Sequence, residues 1–437
     1  NIIPKRFTDL GLSPLDTYFA LARGYQAGAG DVTALPMKKW FNTNYHYLTP
    51  ELEKRTQVKV ASTKIFDEYL EAKALGIETK PVLLGPFTLI KLADFKDTKV
   101  EDHLANIVSA YQEIISKLDE LGAPWLQLDE PSLVKDLTTA DRKLFVQLYE
   151  ALASEPREIK LLLQTYFGDV RDIYDELLSL PVEGIGLDFV EGKQTHQLVQ
   201  TKGFPAGKVL FAGVVNGKNI WRNDYAKSLE LLKGLPQNQD QVVLSTSCSL
   251  LHVPFSTQQE DFPAQVRRHF AFAKEKLGEL SDLAQLADAE HNQQAGASLA
   301  ANQALFQQER VSRNETLAAR LGGLKEHDFQ RQPLFEERRA VQKQALQLPL
   351  LPTTTIGSFP QTREVKVARA KFKRKELSDG AYKKFLREKI AACIDFQEQI
   401  DLDVLVHGEF ERNDMVEYFG ENLEGFLFST HAWVQSY

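Results

Sequence analysis

The sequence contains very little cysteine. Cys248 and Cys393 are the only two among 437 residues, too few for the disulfide framework on which small secreted domains depend. The first residues also lack the charged segment and apolar run of a secretory signal peptide. We therefore expect a protein of the reducing cytoplasm.

Long apolar runs and an excess of positive charge are missing as well. No apolar stretch approaches the roughly 20 residues that a membrane-spanning helix needs. The formal net charge is −8, whereas proteins that bind nucleic acids or anionic membranes present basic surfaces. These absences argue against nucleic acid or membrane as the main partner. We expect a monomer that acts on small molecules.

The length and overall composition are those of a globular protein with several domains. Apolar residues make up 43% of the chain and charged residues 26%. A chain of 437 residues is too long for one typical domain, and two or three are expected. Because the sequence begins with Asn1 rather than Met, we expect its beginning to be missing.

Short apolar runs alternate with helical patterns between residues 81 and 245. The predicted strands cover residues 81–84, 125–128, 160–166, 184–190, 208–215 and 241–245. This alternation predicts six βα units and a parallel sheet. A doubly wound sheet would also fit, but no glycine-rich dinucleotide fingerprint follows an early strand. We therefore favour an α/β fold in which residues 1–261 form a (βα)8 TIM-type barrel, incomplete at its start.

Two segments before this alternation are predicted separately. Residues 37–47 are rich in aromatic and amide side chains without a clear period, which favours a loop over a site. Residues 51–75 show a helical pattern.

The rest of the chain divides in two. Residues 262–348 are rich in Ala, Gln, Glu, Arg and Leu without a strand pattern, which predicts a helical connector; the alternative is a partly disordered linker. Residues 349–437 return to alternation, with strands predicted at 353–356 and 404–406 and a helix at 379–400. These would be the first strands of a second (βα)8 barrel.

A dense polar set follows the predicted strand at 404–406. It contains His407, Glu409, Glu411, Arg412 and Asp414. Parallel α/β folds build their active sites from charged groups at the carboxyl ends of buried strands. A strand that simply leaves the core into a solvated loop would look similar.

Several long motifs resemble those of the cobalamin-independent methionine synthases, a family of methyltransferases. They are TTTIGSFPQT (353–362) and HGEFERNDMVEYFGE (407–421), with WFNTNYHY, KPVLLGPFT, LQLDEPSL and SCSLLH earlier in the same order. The resemblance implies two (βα)8 barrels joined by a helical connector, of which the first is non-catalytic and binds the folate tail. It also implies transfer of a methyl group from 5-methyltetrahydropteroyltri-L-glutamate to L-homocysteine, giving L-methionine in the last step of methionine biosynthesis.

The resemblance further implies a zinc ion and no cobalamin. Zinc keeps a bound thiol deprotonated and nucleophilic at neutral pH. The family's zinc ligands and catalytic histidine would lie beyond Tyr437, and its opening segment would lie before Asn1. We therefore expect a piece cut at both ends, with no catalytic and no metal-binding residue in this chain.

The resemblance assigns five substrate-binding residues. Ile356, Gly357 and Ser358 match a segment that contacts homocysteine, although Gly-Ser could simply end a strand. Glu409 matches the carboxylate that binds the substrate's α-amino group, and its alternative role is an ion pair with Arg412. Lys39 matches a lysine for the polyanionic folate tail.

Lys38 leaves the register of this lysine uncertain, and a solvated loop lysine is the alternative. Four other residues are interpreted as structural despite their chemistry, namely Asp129, Glu130, Cys248 and His407. Trp40 and Tyr45 are interpreted as aromatic packing.

Two other functions remain open. The chain could be an inactive folate-binding or scaffold protein without a zinc site. It could also be a barrel decarboxylase of the uroporphyrinogen type, against which the long 407–421 motif argues.

Overall fold

The computed structural model describes residues 2–28, 30–235, 241–288, 295–308 and 314–432. Parts of the predicted connector, at 289–294 and 309–313, and the last five residues of the predicted third domain lie outside these ranges. The described residues form two compact units. One holds the residues up to 308 together with 429–432, and the other holds residues 314–428.

Twelve strands, all in the first unit, make up the β-structure of the described residues. They are β1 Tyr25–Ala27, β2 Gly30–Val32, β3 Met37–Lys39, β4 His46–Leu48, β5 Glu51–Leu52, β6 Val82–Leu84, β7 Asp94–Phe95, β8 Trp125–Asp129, β9 Lys160–Gln164, β10 Gly184–Asp188, β11 Val209–Val215 and β12 Val242–Thr246.

The α-helices of the first unit surround and flank these strands. They are α1 Lys5–Thr8, α2 Pro14–Arg23, α3 Lys64–Ala74, α4 Pro86–Leu92, α5 Leu104–Glu120, α6 Thr139–Leu152, α7 Tyr174–Ser179, α8 Thr195–Lys202, α9 Tyr225–Lys233, α10 Ala264–Arg267, α11 Ala273–Ala287 and α12 Ala295–Phe306.

The second unit is helical in its described residues. Its α-helices are α13 Glu315–Gly322, α14 Phe335–Leu346, α15 Arg363–Lys373, α16 Asp379–Gln399 and α17 Met415–Glu421. No helix in the described parts of the chain is long and apolar enough to cross a membrane.

One six-stranded sheet organises the first unit. Its order is β12-β11-β10-β9-β8-β6, and every neighbouring pair is parallel. The strands therefore follow chain order across the sheet, as successive βα units require. This confirms the α/β class and the six predicted strands. Hydrogen bonds do not close the sheet between β12 and β6 within the described residues.

The alternation of β8 shows how sequence sets the two faces of this sheet. Leu126 and Leu128 are fully buried in the main core cluster, whereas Trp125, Gln127 and Asp129 are only partly buried. Successive side chains of a strand point to opposite faces. Each leucine contributes roughly 1.5–3 kcal/mol by leaving water, and Gln127 and Asp129 are turned to the opposite face.

Two early predictions are wrong in part. Of the loop predicted over residues 37–47 only 40–45 is a loop, because β3 pairs antiparallel with β4 and the Trp40 N–H donates to the Tyr45 carbonyl at 2.7 Å. The helix predicted over 51–75 covers only α3, since Glu51 and Leu52 form β5, which pairs with β7. Helix α4, which follows Gly85, was not predicted at all.

The two strands predicted in the second unit are also wrong. Residues 353–356 and 404–406 run side by side, but only Ser358 and Gly408 form a parallel bridge. The backbone of Val406 bonds the buried Gln397 side chain instead, accepting from its Nε2 at 2.7 Å and donating to its Oε1 at 3.0 Å. The predicted helix over 379–400 is confirmed as α16.

Candidate functional site

The carboxyl edge of the six-stranded sheet opens into a cavity of about 630 Å³. Both edge strands contribute to it, through Val82 of β6 and Ser245 of β12. Because the two edges of the sheet line one cavity, the sheet curves around it. Ligand sites of parallel α/β folds lie at this end of the strands.

Asp129, at the end of β8, reaches this cavity. Gln127 Nε2 donates to its Oδ1 at 2.8 Å, and the Tyr166 hydroxyl donates to its Oδ2 at 3.2 Å. Burial raises the pKa of Asp129 to about 6, against the lowering effects of these hydrogen bonds and of the Lys80 charge. Perturbed carboxylates in clefts are frequent at functional sites.

The neighbouring Glu130 points the other way and is fully buried. Its carboxylate accepts from the backbone N–H groups of Phe87 at 3.0 Å and Thr88 at 2.6 Å, and from the Tyr149 hydroxyl at 2.8 Å. It thereby satisfies N–H groups at the start of α4. Burial raises the pKa of Glu130 to about 7. All of these partners belong to the fold of the first unit, so Glu130 has a structural role.

Cys248 and His252 face the same cavity, yet they do not form a metal site. Burial raises the pKa of the Cys248 thiol to about 12, and burial followed by the Lys218 charge lowers the pKa of His252. Among the described residues, no group of three or more His, Cys, Asp or Glu side chains is placed to hold a metal ion. The geometry is that of a buried thiol.

Three lysines line a second cavity of about 520 Å³ in the first unit. Lys38 and Lys39 come from β3, and Lys135 follows the 3₁₀ turn Pro131–Val134. No carboxylate is among the described residues that line this cavity. Burial, followed by repulsion from Lys91, lowers the pKa of Lys135. Such a concentration of positive charge suits an anion.

The hairpin separates the two adjacent lysines. Lys38 pairs with Tyr47 and Lys39 with His46 across β3 and β4, and neighbouring strand residues project to opposite faces. Sequence reasoning singled out Lys39, considered Lys38 only as an alternative register, and missed Lys135. Only the turn after Glu130 brings Lys135 to this cavity.

In the second unit, the structure places Gly357, Ser358 and Glu409 together. A Cβ atom on Gly357 would stand 2.9 Å from Glu409 Oε1. Ser358 forms a bridge with Gly408, and the Phe359 N–H donates to the Gly408 carbonyl at 3.0 Å. Ile356, the third member of the predicted segment, has 72% of its side-chain surface exposed.

The backbone at Glu409 is held in an uncommon conformation. Gly408 has φ of +84° and Glu409 has φ of +56°, a region that residues with a side chain rarely adopt. The Glu409 N–H donates to His407 Nδ1 at 2.9 Å. Strained residues that persist in folded structures cluster at ligand sites.

Arg412 holds the Glu409 carboxylate, so the alternative predicted for Glu409 is also observed. Arg412 Nη2 lies 3.0 Å from Glu409 Oε1, and Arg412 Nε lies 3.1 Å from Glu411 Oε1. His407 Nε2 is 3.7 Å from the same Glu411 oxygen. Glu409 therefore has a fixed orientation beside Gly357, and an ion pair does not exclude contact with a ligand.

Comparison with known protein families gives separate matches for the two parts of the chain. A family model described as the N-terminal domain of the cobalamin-independent synthases matches residues 1–240, which is more than half of the chain. A model described as the catalytic domain of the same family matches residues 351–437. The chain belongs to the cobalamin-independent synthase family.

Relatives in this family are similar over the whole chain. Proteins named 5-methyltetrahydropteroyltriglutamate–homocysteine methyltransferase from Streptococcus thermophilus and Streptococcus suis are each 58% identical to it over 438 aligned positions. The match covers 100% of this chain and 58% of each relative. The chain thus spans somewhat more than half the length of these relatives. The expectation that both of its ends are missing stays a prediction, which the comparisons do not bear out.

A solved structure of the same family is also similar to the chain. It is a B12-independent methionine synthase from Shewanella sp. W3-18-1 in complex with selenomethionine, with a TM-score of 0.41 and 16% identity. The similarity covers 56% of this chain and 72% of that one.

Proposed function

We propose that the chain serves in methyl transfer from 5-methyltetrahydropteroyltri-L-glutamate to L-homocysteine, which forms L-methionine. Membership of the cobalamin-independent synthase family supports this proposal, as do relatives named for this reaction. The observation that carries it within this chain is the juxtaposition of Gly357 and Glu409. These two residues are far apart in sequence, and both match the family's homocysteine site.

Glu409 is proposed to bind the α-amino group of homocysteine. A carboxylate and an ammonium group form a charge-assisted hydrogen bond, which is stronger than a neutral one. Arg412 holds one oxygen of Glu409 at 3.0 Å, so that the carboxylate is oriented before the ligand arrives. Because Gly357 has no side chain, a ligand bound to Glu409 would be able to approach the backbone of Gly357 and Ser358 closely. Ile356 would contribute apolar contact from its exposed side chain.

Lys39 is proposed to bind the glutamate tail of the folate, with Lys38 and Lys135 as its partners. All three line one cavity that contains no carboxylate among its described lining residues. A tri-glutamate tail carries several carboxylates, and clustered lysines attract such a chain electrostatically.

The described residues do not fit a zinc site. The three side chains of residues 407–411 that could bind a metal are already committed, because Glu409 and Glu411 both contact Arg412 and His407 lies beside Glu411. Zinc dependence, with ligands beyond Tyr437 and without cobalamin, stays a prediction from the family resemblance.

We further propose the finer architecture predicted from the sequence. The curvature of the six-stranded sheet supports a (βα)8 barrel over residues 1–261. A helical connector over 262–348 and the first part of a second barrel over 349–437 complete this proposal. A cytoplasmic, monomeric enzyme agrees with the composition.

A methyl-transfer assay of this chain tests the proposal. Purified chain would be mixed with zinc, homocysteine and the triglutamate form of 5-methyltetrahydrofolate, and methionine would be measured. Turnover supports the enzyme and refutes an inactive scaffold. If the zinc ligands lie beyond Tyr437, this chain should bind homocysteine and the triglutamate folate without turnover. Binding of the folate without homocysteine favours the folate-binding alternative, and the absence of both contradicts the two proposals together.

A further inference from the structure

The cavity at the carboxyl edge of the sheet plays no part in the function proposed above. It has a volume of about 630 Å³ and is lined by residues of the first unit alone. A cavity of this size holds a small organic molecule. Neither the Gly357–Glu409 pair nor the three lysines belong to its lining.

Among Asp, Glu, Lys and Arg side chains, the described lining of this cavity contains only an acidic one. Asp129 is the one carboxylate among the described residues that line it, and none of them is a lysine or arginine. Burial lowers the pKa of His252 and raises that of the Cys248 thiol to about 12, which disfavours the charged form of each. Lys80 acts on Asp129 electrostatically but does not line the cavity, and a carboxylate in the lining favours a cationic ligand.

The Asp129 carboxylate has room for a further donor. Gln127 and Tyr166 each donate one hydrogen bond, and they do so to different oxygens. Each carboxylate oxygen has about two acceptor positions. Lys80, the nearby cation that acts on Asp129, packs its ammonium group 4.7 Å from the centroid of the Phe211 ring.

Aromatic side chains form part of the wall of this cavity. Trp40, Tyr45 and Tyr166 all line the cavity. Trp and Tyr rings attract cations placed over their faces, and cages of such rings recognise quaternary ammonium ligands. Hydroxyl and amide oxygens of Ser245 and Gln164 supply further acceptors nearby.

We propose that this cavity binds a small organic ammonium ion with an apolar body, in which Asp129 is the anionic partner and Trp40, Tyr45 and Tyr166 form the aromatic wall. The proposal is independent of the methyl-transfer function. It rests on a different cavity and on different residues.

Three matched probes test the charge requirement on the unaltered chain. Benzylammonium, benzyl alcohol and benzoate share the same ring and differ in charge, and ligand-observed NMR at pH 8 measures their dissociation constants. We expect benzylammonium to bind at least tenfold more tightly than benzyl alcohol and benzoate to show no binding. Equal binding of the alcohol and the ammonium ion would overturn the proposal.

Substitutions locate the binding. Asp129→Asn should weaken benzylammonium binding at least tenfold, whereas Asp136→Asn, at an exposed aspartate nearby, should leave it unchanged. Ser245→Lys would place an ammonium group in the cavity and should abolish binding, while Ser245→Gln should retain it. Because the Ser245 pair leaves Asp129 intact, it tests the proposal even if Asp129→Asn fails to fold. Full binding by a folded Asp129→Asn or Ser245→Lys variant would refute it.

Discussion

Glu409 Oε1 lies 2.9 Å from the point where Gly357 would carry a Cβ atom, and the same relationship recurs in the first unit between Glu130 and Gly85, at 2.2 Å. In both units a glycine that follows an extended segment leaves space for a glutamate far along the chain. The environments differ, however. Glu130 is fully buried and bonded to helix α4, whereas Glu409 is only partly buried and paired with Arg412.

Gly357→Ala should impair homocysteine binding without unfolding the second unit. The added methyl group would push Glu409 Oε1, the far end of a side chain that is only partly buried. The carboxylate would then lose its orientation, and we expect roughly tenfold weaker binding, about 1.4 kcal/mol. Calorimetric titration with homocysteine and thermal unfolding measure the two effects.

Gly380→Ala is the control for this substitution. No atom lies within 4 Å of its Cβ position in α16, so binding should not change. Loss of thermal stability by Gly357→Ala as large as its loss of binding would show that Gly357 is a structural glycine.

Gly85→Ala should instead destabilise the first unit. Its methyl group would meet Glu130 Oε1 at 2.2 Å, and three hydrogen bonds hold that carboxylate in place. We expect a loss of about 3 kcal/mol, at the upper end of the cost of overpacking a core. Denaturant unfolding measures it, and Gly278→Ala in α11, where the space is open, should cost nothing. Equal stability of the two variants would contradict the rigidity assigned to Glu130.

Local sequence signals were sufficient for most of the parallel sheet. Strands β8 to β12 lie within two residues of their predicted bounds, because each apolar run is long enough to be buried and ends in turn residues or charge. Helix α4 could not be predicted in this way. Its first N–H groups are satisfied by Glu130, which stands more than 40 residues later in the chain.

Contacts between residues far apart in the chain, which local patterns do not reveal, also explain the errors around the candidate site. The β-branched run at 353–356 and the apolar run at 404–406 resemble strands, but the Gln397 side chain bonds the backbone of Val406 in place of a neighbouring strand. The contact of Gly357 with Glu409 was expected only through the family resemblance, since no periodicity links the two. Lys135 reaches the lysine cavity through a 3₁₀ turn, and nothing in the composition around it indicates an anion site.

Glu409→Gln and Glu411→Gln separate ligand binding from the ion pair with Arg412. Both carboxylates contact Arg412, at 3.0 and 3.1 Å, so both substitutions weaken an ion pair. Only Glu409→Gln should weaken homocysteine binding, by tenfold or more, because it removes the charge proposed to bind the α-amino group. Titration of homocysteine into each variant provides the measurement. Similar losses in both would mean that Glu409 acts only through Arg412.

Replacing the cavity lysines should weaken binding of the triglutamate folate but not of the monoglutamate form. Lys39→Ala and Lys135→Ala are each expected to cost three- to tenfold in affinity, about 0.7–1.4 kcal/mol. The effect should shrink as salt is added, since exposed charges are screened. Fluorescence titration of both folate forms at two salt concentrations measures these changes.

Comparison of Lys38→Ala with Lys39→Ala shows how the two hairpin lysines share contact with the tail, because both line the cavity although they leave opposite faces of the hairpin. Lys143→Ala, at an exposed position of α6, is the control and should bind normally. If none of the cavity variants altered the affinity for the triglutamate form, the proposal that the tail binds in this cavity would be wrong.

Asp129 should make the stability of the chain depend on pH. Burial raises its pKa in the folded state to about 6, from the ordinary value of 3.8. Between these values the folded protein keeps a proton that the unfolded chain releases, so the free energy of unfolding falls as pH rises from about 4 to 6. The loss amounts to about 2–3 kcal/mol, at 1.36 kcal/mol per pKa unit, and it is complete above pH 6.

Asp129→Asn removes this titration. Urea unfolding at pH 4, 5, 6 and 7 should show the variant gaining stability relative to the unaltered chain as pH rises, and then a constant difference between them above pH 6. Asp136→Asn should follow the unaltered chain at every pH, because its side chain is exposed. If the difference between Asp129→Asn and the unaltered chain did not change with pH, Asp129 would have an ordinary pKa. Its carboxylate would then be better solvated than its position in the cavity indicates.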